Sequence, residues 1–246
     1  MKIIKLFQKL FLIIIHLIIG LLVSFLLFRL LHFDKKQKII KWWYERFIKI
    51  INLQVKVHGR TPKNCCLIVS NHISWLDIIV IGHLLPTIFL SKAEVKKWPL
   101  LGWLASSANT IYIKRGGGQS ENIRNIMVDK FRKNLSITIF PEGKTTDGET
   151  VGQFFPRLFA AAIETKTPVL PISLNYHINN YKDKSLAFIG SQNFFENFFS
   201  IIKRDKIQVE VCLLDAVKSE NFDRKRLAIK AQNIISISKR NFPYST

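Results

Sequence analysis

Cysteine is scarce in this 246-residue sequence: there are three, with Cys65 and Cys66 side by side and Cys212 far downstream. That is neither a disulfide framework nor a metal-ligand spacing, so a cystine-stapled module and a structural zinc fold are both excluded. The expectation is three small buried hydrophobes in the strands of a reduced compartment. Acidic residues are scarce too, 17 against 37 lysines and arginines, for a formal net charge of +20 at pH 7. Such an excess needs an anionic partner: nucleic acid, anionic lipid headgroups or an acidic carrier protein. Nucleic acid is set aside, because the basic residues are dispersed and no nucleic-acid-binding motif accompanies them. There is no G-x-S-x-G elbow, and no cysteine stands beside a motif histidine, which speaks against a serine or cysteine hydrolase. Gly116-Gly117-Gly118 lacks the spacing of a dinucleotide or P-loop fingerprint, so no nucleotide role is given to it. Internal repeats and low-complexity linkers are missing as well.

Apolar residues, by contrast, make up 48% of the chain, enough for the core of one α/β domain with material left for a membrane element. Residues 10–28 read LFLIIIHLIIGLLVSFLLF, and a membrane-crossing helix needs about 20 such residues. Lys2, Lys5 and Lys9 precede the run, as in a signal peptide, but the apolar stretch is too long and Arg29-Leu30-Leu31-His32 offers no small-residue cleavage site. It reads as a retained segment. The larger basic cluster, Arg29, Lys35, Lys36, Lys38 and Lys41, follows it, which favours an inner (cytoplasmic) membrane location with the main domain on the cytoplasmic side. The next stretch, KKQKIIKWWYERFIKIINLQV, reads as a basic, aromatic-rich amphipathic helix lying in the headgroup layer. The first helix either crosses the bilayer or enters and leaves one leaflet with the second. Residues 1–53 are thus expected to form a membrane helix and an amphipathic interfacial helix, and 54–246 an α/β domain.

Within 54–246 short apolar runs alternate with helical patterns. Strands are expected at 55–58, 66–70, 87–90, 110–113, 136–140, 169–174 and 206–214. Helices are expected at 75–85, 100–106, 121–133, 157–166 and 224–238, the last capped near Asn221. Strands apolar throughout and alternating with helices predict a mostly parallel sheet flanked by helices. The phenylalanine-rich stretch 179–199 reads as irregular, either a second membrane-facing patch or buried core.

Four polar clusters follow or end predicted strands, where α/β sheets gather their ligands. They are Asn71-His72 with Asp77 in SNHISWLD, NTIYIKRGGG with Arg115, Phe140-Pro141-Glu142-Gly143-Lys144-Thr145, and TPVLPISLNY. Singly, each has a bland explanation: a histidine near an aspartate is more often a hydrogen-bonded turn, Arg115 a solvated loop charge and Glu142 a turn residue. Their joint order behind a membrane segment is what shifts the balance.

In that order the sequence resembles the glycerophospholipid acyltransferase family, most closely the lysophosphatidic acid (1-acyl-sn-glycerol-3-phosphate) acyltransferases. The family's NHxxxxD, GxxFIxR-like, FPEGTxS and VPxxPV-like blocks match 71–77, 109–115, 140–145 and 167–172, and 92–103 is similar to the stretch between the first two. Two positions depart. Asn109 stands where the family has glycine, though asparagine tolerates the left-handed backbone, and Lys144 replaces a threonine or serine.

The resemblance implies acyl transfer from acyl-CoA or acyl-acyl-carrier-protein to the free hydroxyl of lysophosphatidic acid, giving phosphatidic acid, without cofactor or metal. His72 would be the general base, since an imidazole with an ordinary pKa of about 6.5 can take the proton of an attacking alcohol. Asp77 would orient it and stabilise the imidazolium, as in a hydrolase triad without its serine. Asn71, Lys92, Arg115, Glu142, Gly143, Lys144 and Thr145 are the implied substrate-binding residues. Arg115 would grip a phosphate bidentately, backbone N–H groups near Gly143 would complete the pocket, and Glu142 would face acceptor hydroxyls or position Arg115. The partners are the thioester donor, the lysolipid and an anionic membrane surface. Lys144 keeps other acceptors open, among them lyso-ornithine lipid, a lysophospholipid with a headgroup, or a glycolipid. A non-catalytic basic membrane-surface protein is the reading from a different class.

Overall fold

The computed structural model describes residues 2–28, 30–114, 120–179, 181–190 and 192–243. Two helices lead the chain, α1 (Lys2–Leu26) and α2 (Phe33–Ile51). Then come β1 (Leu53–His58), β2 (Leu67–Ser70), α3 (Leu76–Leu84), β3 (Ile88–Lys92), α4 (Leu101–Ser107) and β4 (Ile111–Ile113). They are followed by α5 (Ser120–Arg132), β5 (Ile137–Ile139), α6 (Ala160–Glu164), β6 (Val169–Ile178) and β7 (Tyr181–Lys182). The chain closes with α7 (Phe194–Ile202), β8 (Ile207–Leu213) and α8 (Arg224–Arg240).

The strands form one sheet in the order β1-β8-β6-β2-β5-β3-β4, with β7 pairing the end of β6. From β4 to β6 all neighbours are parallel, while β8 runs antiparallel to β6 and β1 parallel to β8. The expected mostly parallel, helix-flanked sheet is therefore the observed one. β2 and β5 are buried throughout because both faces are covered. On one face α2, α3 and α7 pack through Phe47, Ile51, Leu76, Val80 and Ile201. On the other, α5, α6 and α8 contribute Met127, Phe131, Ala161, Leu227 and Ile235. α2 thus shares a core with the sheet. Cys66 is buried and Cys65 half-buried, and burial pushes both thiols up to about 11.

Several details differ from the sequence expectations. The helix expected at 157–166 is a 3-10 turn, Pro156–Phe159, running into α6. α8 is capped two residues beyond Asn221, by Asp223, whose side chain accepts the Lys225 and Arg226 N–H groups. The stretch read as irregular holds β7 and the start of α7, whose N-cap is the Asn193 side chain. Phenylalanine is a middling helix former, so α7 owes its existence to packing. β6 continues past 174 to Ile178 because β8 still pairs with it, Tyr176 against Val209 and His177 against Gln208. The polar Asn175 and His177 conceal that extension in the sequence.

α1 is long and apolar enough to cross a membrane, yet it is tied to the domain near both ends. Lys9 Nζ donates to the carbonyls of Ile202, 3.4 Å, and Arg204, 2.6 Å. The Trp103 indole donates to Ser24 Oγ at 3.0 Å. Trp43 stacks on His16 with centroids 4.5 Å apart. The outward sides of this end expose Phe7, Phe11, Phe25, Trp42, Trp103 and Phe195.

Candidate active site

The parallel strands all end on one edge of the sheet, and the neighbours β2 and β5 send their connections in opposite directions over opposite faces, β2 through α3 to β3 and β5 through α6 to β6. Such a switch point opens a crevice past the carboxyl ends of the strands. The first block is built there. Once β2 stops at Ser70, Asn71 continues the pairing with its side chain: Nδ2 donates to Leu174 O at 3.1 Å, and Oδ1 accepts Leu174 N–H at 2.9 Å. This side-chain imitation of a ladder pair lets the main chain leave the sheet at once, and the next residue is His72.

His72 Nδ1 lies 2.8 Å from Asp77 Oδ2. The five-residue spacing works because α3 starts at Leu76 and its first turn folds back over the loop. Asp77 Oδ2 also accepts the N–H groups of Ile73, 2.7 Å, and Ser74, 3.0 Å. Its other oxygen accepts the Tyr176 hydroxyl at 2.8 Å. Burial first, and then the adjacent carboxylate, push the Tyr176 phenol well above its ordinary value, so it remains a donor. Asp77 is wholly buried while the His72 side chain is 17% exposed, so the imidazole alone of the pair meets an incoming molecule. The Phe140 ring stacks on it with centroids 3.9 Å apart and fixes its plane.

Glu142 belongs to the same cluster. Its Oε1 accepts the His72 N–H at 2.9 Å, and its Oε2 accepts the Gly152 N–H at 2.8 Å. A Cβ on Gly152 would sit 2.7 Å from Glu142 Oε2, so only glycine admits this approach. Burial pushes the Glu142 carboxyl above its usual range, with the two N–H groups pulling the other way. Both oxygens thus hold backbone, where the sequence suggested acceptor hydroxyls or Arg115. The turn beyond it needs glycine at 143, where φ is +67°. The Gly143 N–H is bonded to Phe140 O at 3.0 Å. Lys144 is exposed. Thr145 Oγ1 donates to Phe188 O, and Thr146 N–H donates to His72 O at 2.8 Å, laying this loop over the histidine.

Asn71, His72, Asp77 and Glu142 are therefore brought together, with Gly143, Lys144 and Thr145 on the adjoining turn. Lys92, exposed at the end of β3, lies on the same edge but with β5 between, about 10 Å away across the sheet. Arg115 lies outside the described residues. Asn109 has φ of +62°, the left-handed conformation expected of it. Among the described residues no group of three or more histidine, cysteine or acidic side chains is placed to hold a metal ion.

Three participants carry little or no signal in the sequence. Tyr176 ends the fourth cluster, but nothing in TPVLPISLNY says that its hydroxyl reaches Asp77. Phe140 reads as the last residue of a strand. Lys239, far outside the four blocks, is a buried lysine whose ammonium reaches Leu174 O at 3.2 Å and Asn175 Oδ1 at 3.1 Å.

A second feature lies at the start of α3, from Trp75, three residues on from His72. A cavity of about 440 Å³ begins at Trp75, Ile78 and Ile79 and extends among α1, α2, β3, α4 and α7. Its lining is nearly all apolar, including Val23, Trp43, Phe89, Leu104 and Phe198.

The family model described as Acyltransferase matches residues 54–175. A lyso-ornithine lipid O-acyltransferase of Pseudomonas aeruginosa is 36% identical over 203 residues, 82% of this chain and 79% of that protein. A 1-acyl-sn-glycerol-3-phosphate acyltransferase of Neisseria gonorrhoeae is 29% identical over 189 residues, 75% of this chain and 73% of that protein. The crystal structure of a 1-acyl-sn-glycerophosphate acyltransferase from Thermotoga maritima superposes with a TM-score of 0.73 at 18% identity, covering 100% of this chain and 98% of that one.

Proposed function

The chain belongs to the Acyltransferase family, and we propose that it moves a fatty acyl group from an acyl thioester to a lysolipid hydroxyl at a membrane surface, with His72 as general base. The observation that carries this is the 2.8 Å contact between His72 Nδ1 and the buried Asp77 carboxylate. With Nδ1 held as donor, Nε2 is the ring nitrogen left to take a proton. The lysolipid hydroxyl gives its proton to Nε2 as its oxygen forms a bond to the thioester carbonyl carbon. Asp77 stabilises the imidazolium that results, itself kept in place by the Ile73, Ser74 and Tyr176 donors. Collapse of the tetrahedral intermediate breaks the C–S bond, and the imidazolium returns the proton to the departing thiolate. A thioester is already activated, so no covalent enzyme intermediate is needed. General-base assistance of this kind contributes about 10² to 10⁴ in rate.

The apolar cavity beside α3 suits an acyl chain, and its volume lies within the range of ordinary ligand pockets. The exposed aromatic and aliphatic surface of α1, α2, α4 and α7 suits the interfacial layer of a bilayer, with the +20 charge attracting anionic headgroups. Tied at Lys9 and at Ser24, α1 would lie along the domain in one leaflet. The same positive charge would steer acyl-CoA or an acyl-acyl-carrier-protein to the site.

For the acceptor we favour lyso-ornithine lipid. The higher identity to a relative with that name supports it. So does the loop over His72, which carries a cation, Lys144, and an acid, Asp147, next to the Lys184–Glu149 ion pair, to meet a headgroup with a carboxylate and an ammonium. Lysophosphatidic acid is the second reading, favoured by the Neisseria relative and by lysines 92 and 144 at the strand ends, which suit a phosphate. The test is a competition assay read by mass spectrometry. Detergent-solubilised protein receives an acyl-CoA or acyl-acyl-carrier-protein donor and an equimolar mixture of the two acceptors with lysophosphatidylethanolamine, with His72→Ala in parallel. Acylated ornithine lipid as the dominant, histidine-dependent product is expected. Phosphatidic acid in its place would move the acceptor to the second reading, and there Arg115→Ala should raise the acceptor KM. A fully active His72→Ala protein would sink the mechanism.

A further inference from the structure

Lys239 sits near the end of α8, outside every block that marks the family, yet it is 7% exposed and its ammonium lies inside the domain. A buried ammonium is costly unless paired and hydrogen-bonded. Here it donates to Leu174 O at 3.2 Å and to Asn175 Oδ1 at 3.1 Å. Leu174 O is the carbonyl that also accepts Asn71 Nδ2. Two residues on, Tyr176 holds Asp77. The three consecutive residues Leu174, Asn175 and Tyr176 are therefore a template. Leu174 fixes the residue before the histidine, Tyr176 fixes the aspartate that orients it, and Asn175 together with Leu174 O is clamped from behind by Lys239. The cluster also contains two buried carboxyl groups, Asp77 and Glu142, exposed 0% and 4%.

We propose that Lys239 is a positioning residue for acyl transfer, clamping the Leu174–Tyr176 segment that holds Asn71 and Asp77 and supplying a buried positive charge against Asp77 and Glu142. It touches no substrate. Its action is through Asn71, Asp77 and Glu142, and it rests on the reading of His72 as the base. The charged form is opposed by burial and by Lys182 on β7, and favoured by Glu142, Asp77 and Asp147; Cys212 on β8 also faces it. Burial pulls its pKa down from 10.5 to about 8. The clamp is therefore charged at neutral pH and loses its charge as the pH rises through about 8. Because Glu142 is already pushed up by burial, loss of a neighbouring cation moves its protonation to still higher pH, and a protonated carboxyl, neutral and with one oxygen carrying a proton, holds the His72 and Gly152 N–H groups more weakly.

The experiment compares wild type, Lys239→Met, Lys239→Arg and His72→Ala with both acceptors and whichever thioester donor, acyl-CoA or acyl-acyl-carrier-protein, supports wild-type turnover, reading lipid product, against pH. Lys239→Met should lose about ten- to a hundredfold in kcat, the range expected for a charge-assisted hydrogen bond, with acceptor KM within about threefold. Its acidic limb should move to higher pH. Lys239→Arg should recover most of kcat and stay active above about pH 8, where wild type declines. Wild-type kcat for Lys239→Met at every pH would overturn the proposal. So would a loss equal at all pH values and not rescued by arginine, which is the signature of packing alone. If thermal melts show that Lys239→Met fails to fold, wild type against Lys239→Arg carries the test, and a wild-type profile flat well above about pH 8 counts against the clamp. His72→Ala separates the two readings. An inactive His72→Ala beside a normal Lys239→Met removes the clamp only, and an active His72→Ala removes the base beneath it.

Discussion

The two halves of this molecule follow different rules. Around His72 the polar groups are interlocked, with Asn71, Asp77, Glu142, Tyr176 and Lys239 each bonded in a defined direction to a backbone or side-chain partner. A few residues away, from Trp75 to α1, the lining is almost entirely apolar and includes few polar ties, such as Trp43 to His16 O and Trp103 to Ser24. The difference follows from the tasks proposed for them. A proton transfer requires its base held to a fraction of an ångström, which directional hydrogen bonds in a buried setting can achieve. An acyl chain has no direction to recognise, so volume and apolarity are enough, and many residues serve equally well. Error is therefore expensive in one half and cheap in the other.

Four experiments probe that contrast, in order of expected effect. Asp77→Asn keeps the shape of the buried side chain but offers an amide to His72 Nδ1. Steady-state kinetics should show kcat lowered about 10³- to 10⁴-fold, the scale for disturbing a histidine's orienting carboxylate. A loss under about tenfold would mean that the polar half is less demanding than its geometry.

The next concerns stability. The folded chain holds the Lys239 proton more weakly than the unfolded chain, because its pKa falls from 10.5 to about 8. Between those values the unfolded state binds more protons, so stability rises with pH there, by about 3 kcal/mol in all. Denaturant unfolding should show wild type gaining that amount over Lys239→Met as the pH is raised from below about 8 to above 10.5. A constant difference would show the ammonium is not buried as described.

Tyr176→Phe removes one donor to Asp77 and leaves the Ile73 and Ser74 N–H groups in place. A buried hydrogen bond to a charged group is worth about 1.5 to 3 kcal/mol, so kcat should fall about ten- to a hundredfold, with acyl-chain preference unchanged. Ala105→Phe, on the cavity wall, should do the reverse. Donors shortened by about two to four carbons should be preferred over the long chains accepted by wild type, each excluded methylene being worth about 0.8 kcal/mol, and kcat with the shorter donors should stay within about twofold. A chain-length profile that does not move would detach the cavity from the acyl group.

How much can be read from the chain alone varies with the range of the interaction. Every strand but β7 lies where a short apolar run predicts it, and so do most of the helices, since both patterns are local. β6 reads as ending at 174 because polar Asn175 and His177 interrupt its apolar run, although both lie buried against covering elements. α7 is hidden because FFENFFSII is a poor helix by propensity and is stabilised by packing. His72 and Asp77 can be paired from their spacing, since one loop and the first turn of α3 join them. The fate of Glu142 cannot, because its partners are N–H groups 10 and 70 residues away.

The alternation of elements, the apolar leading helix, the strong positive charge and the blocks that mark the acyltransferase family are all written in the linear chain. Each is encoded within a few residues, where turn chemistry, period and spacing leave few choices. It took the folded arrangement to make Asn71 imitate a strand and release His72, to stand Tyr176 and Lys239 behind it, and to open an apolar cavity among α1, α2, α4 and α7. Asn71 meets Leu174 across 103 residues and Tyr176 meets Asp77 across 99. Contacts of that range arise when strands settle side by side and helices cover them, so their partners are chosen by packing and not by neighbourhood in the chain.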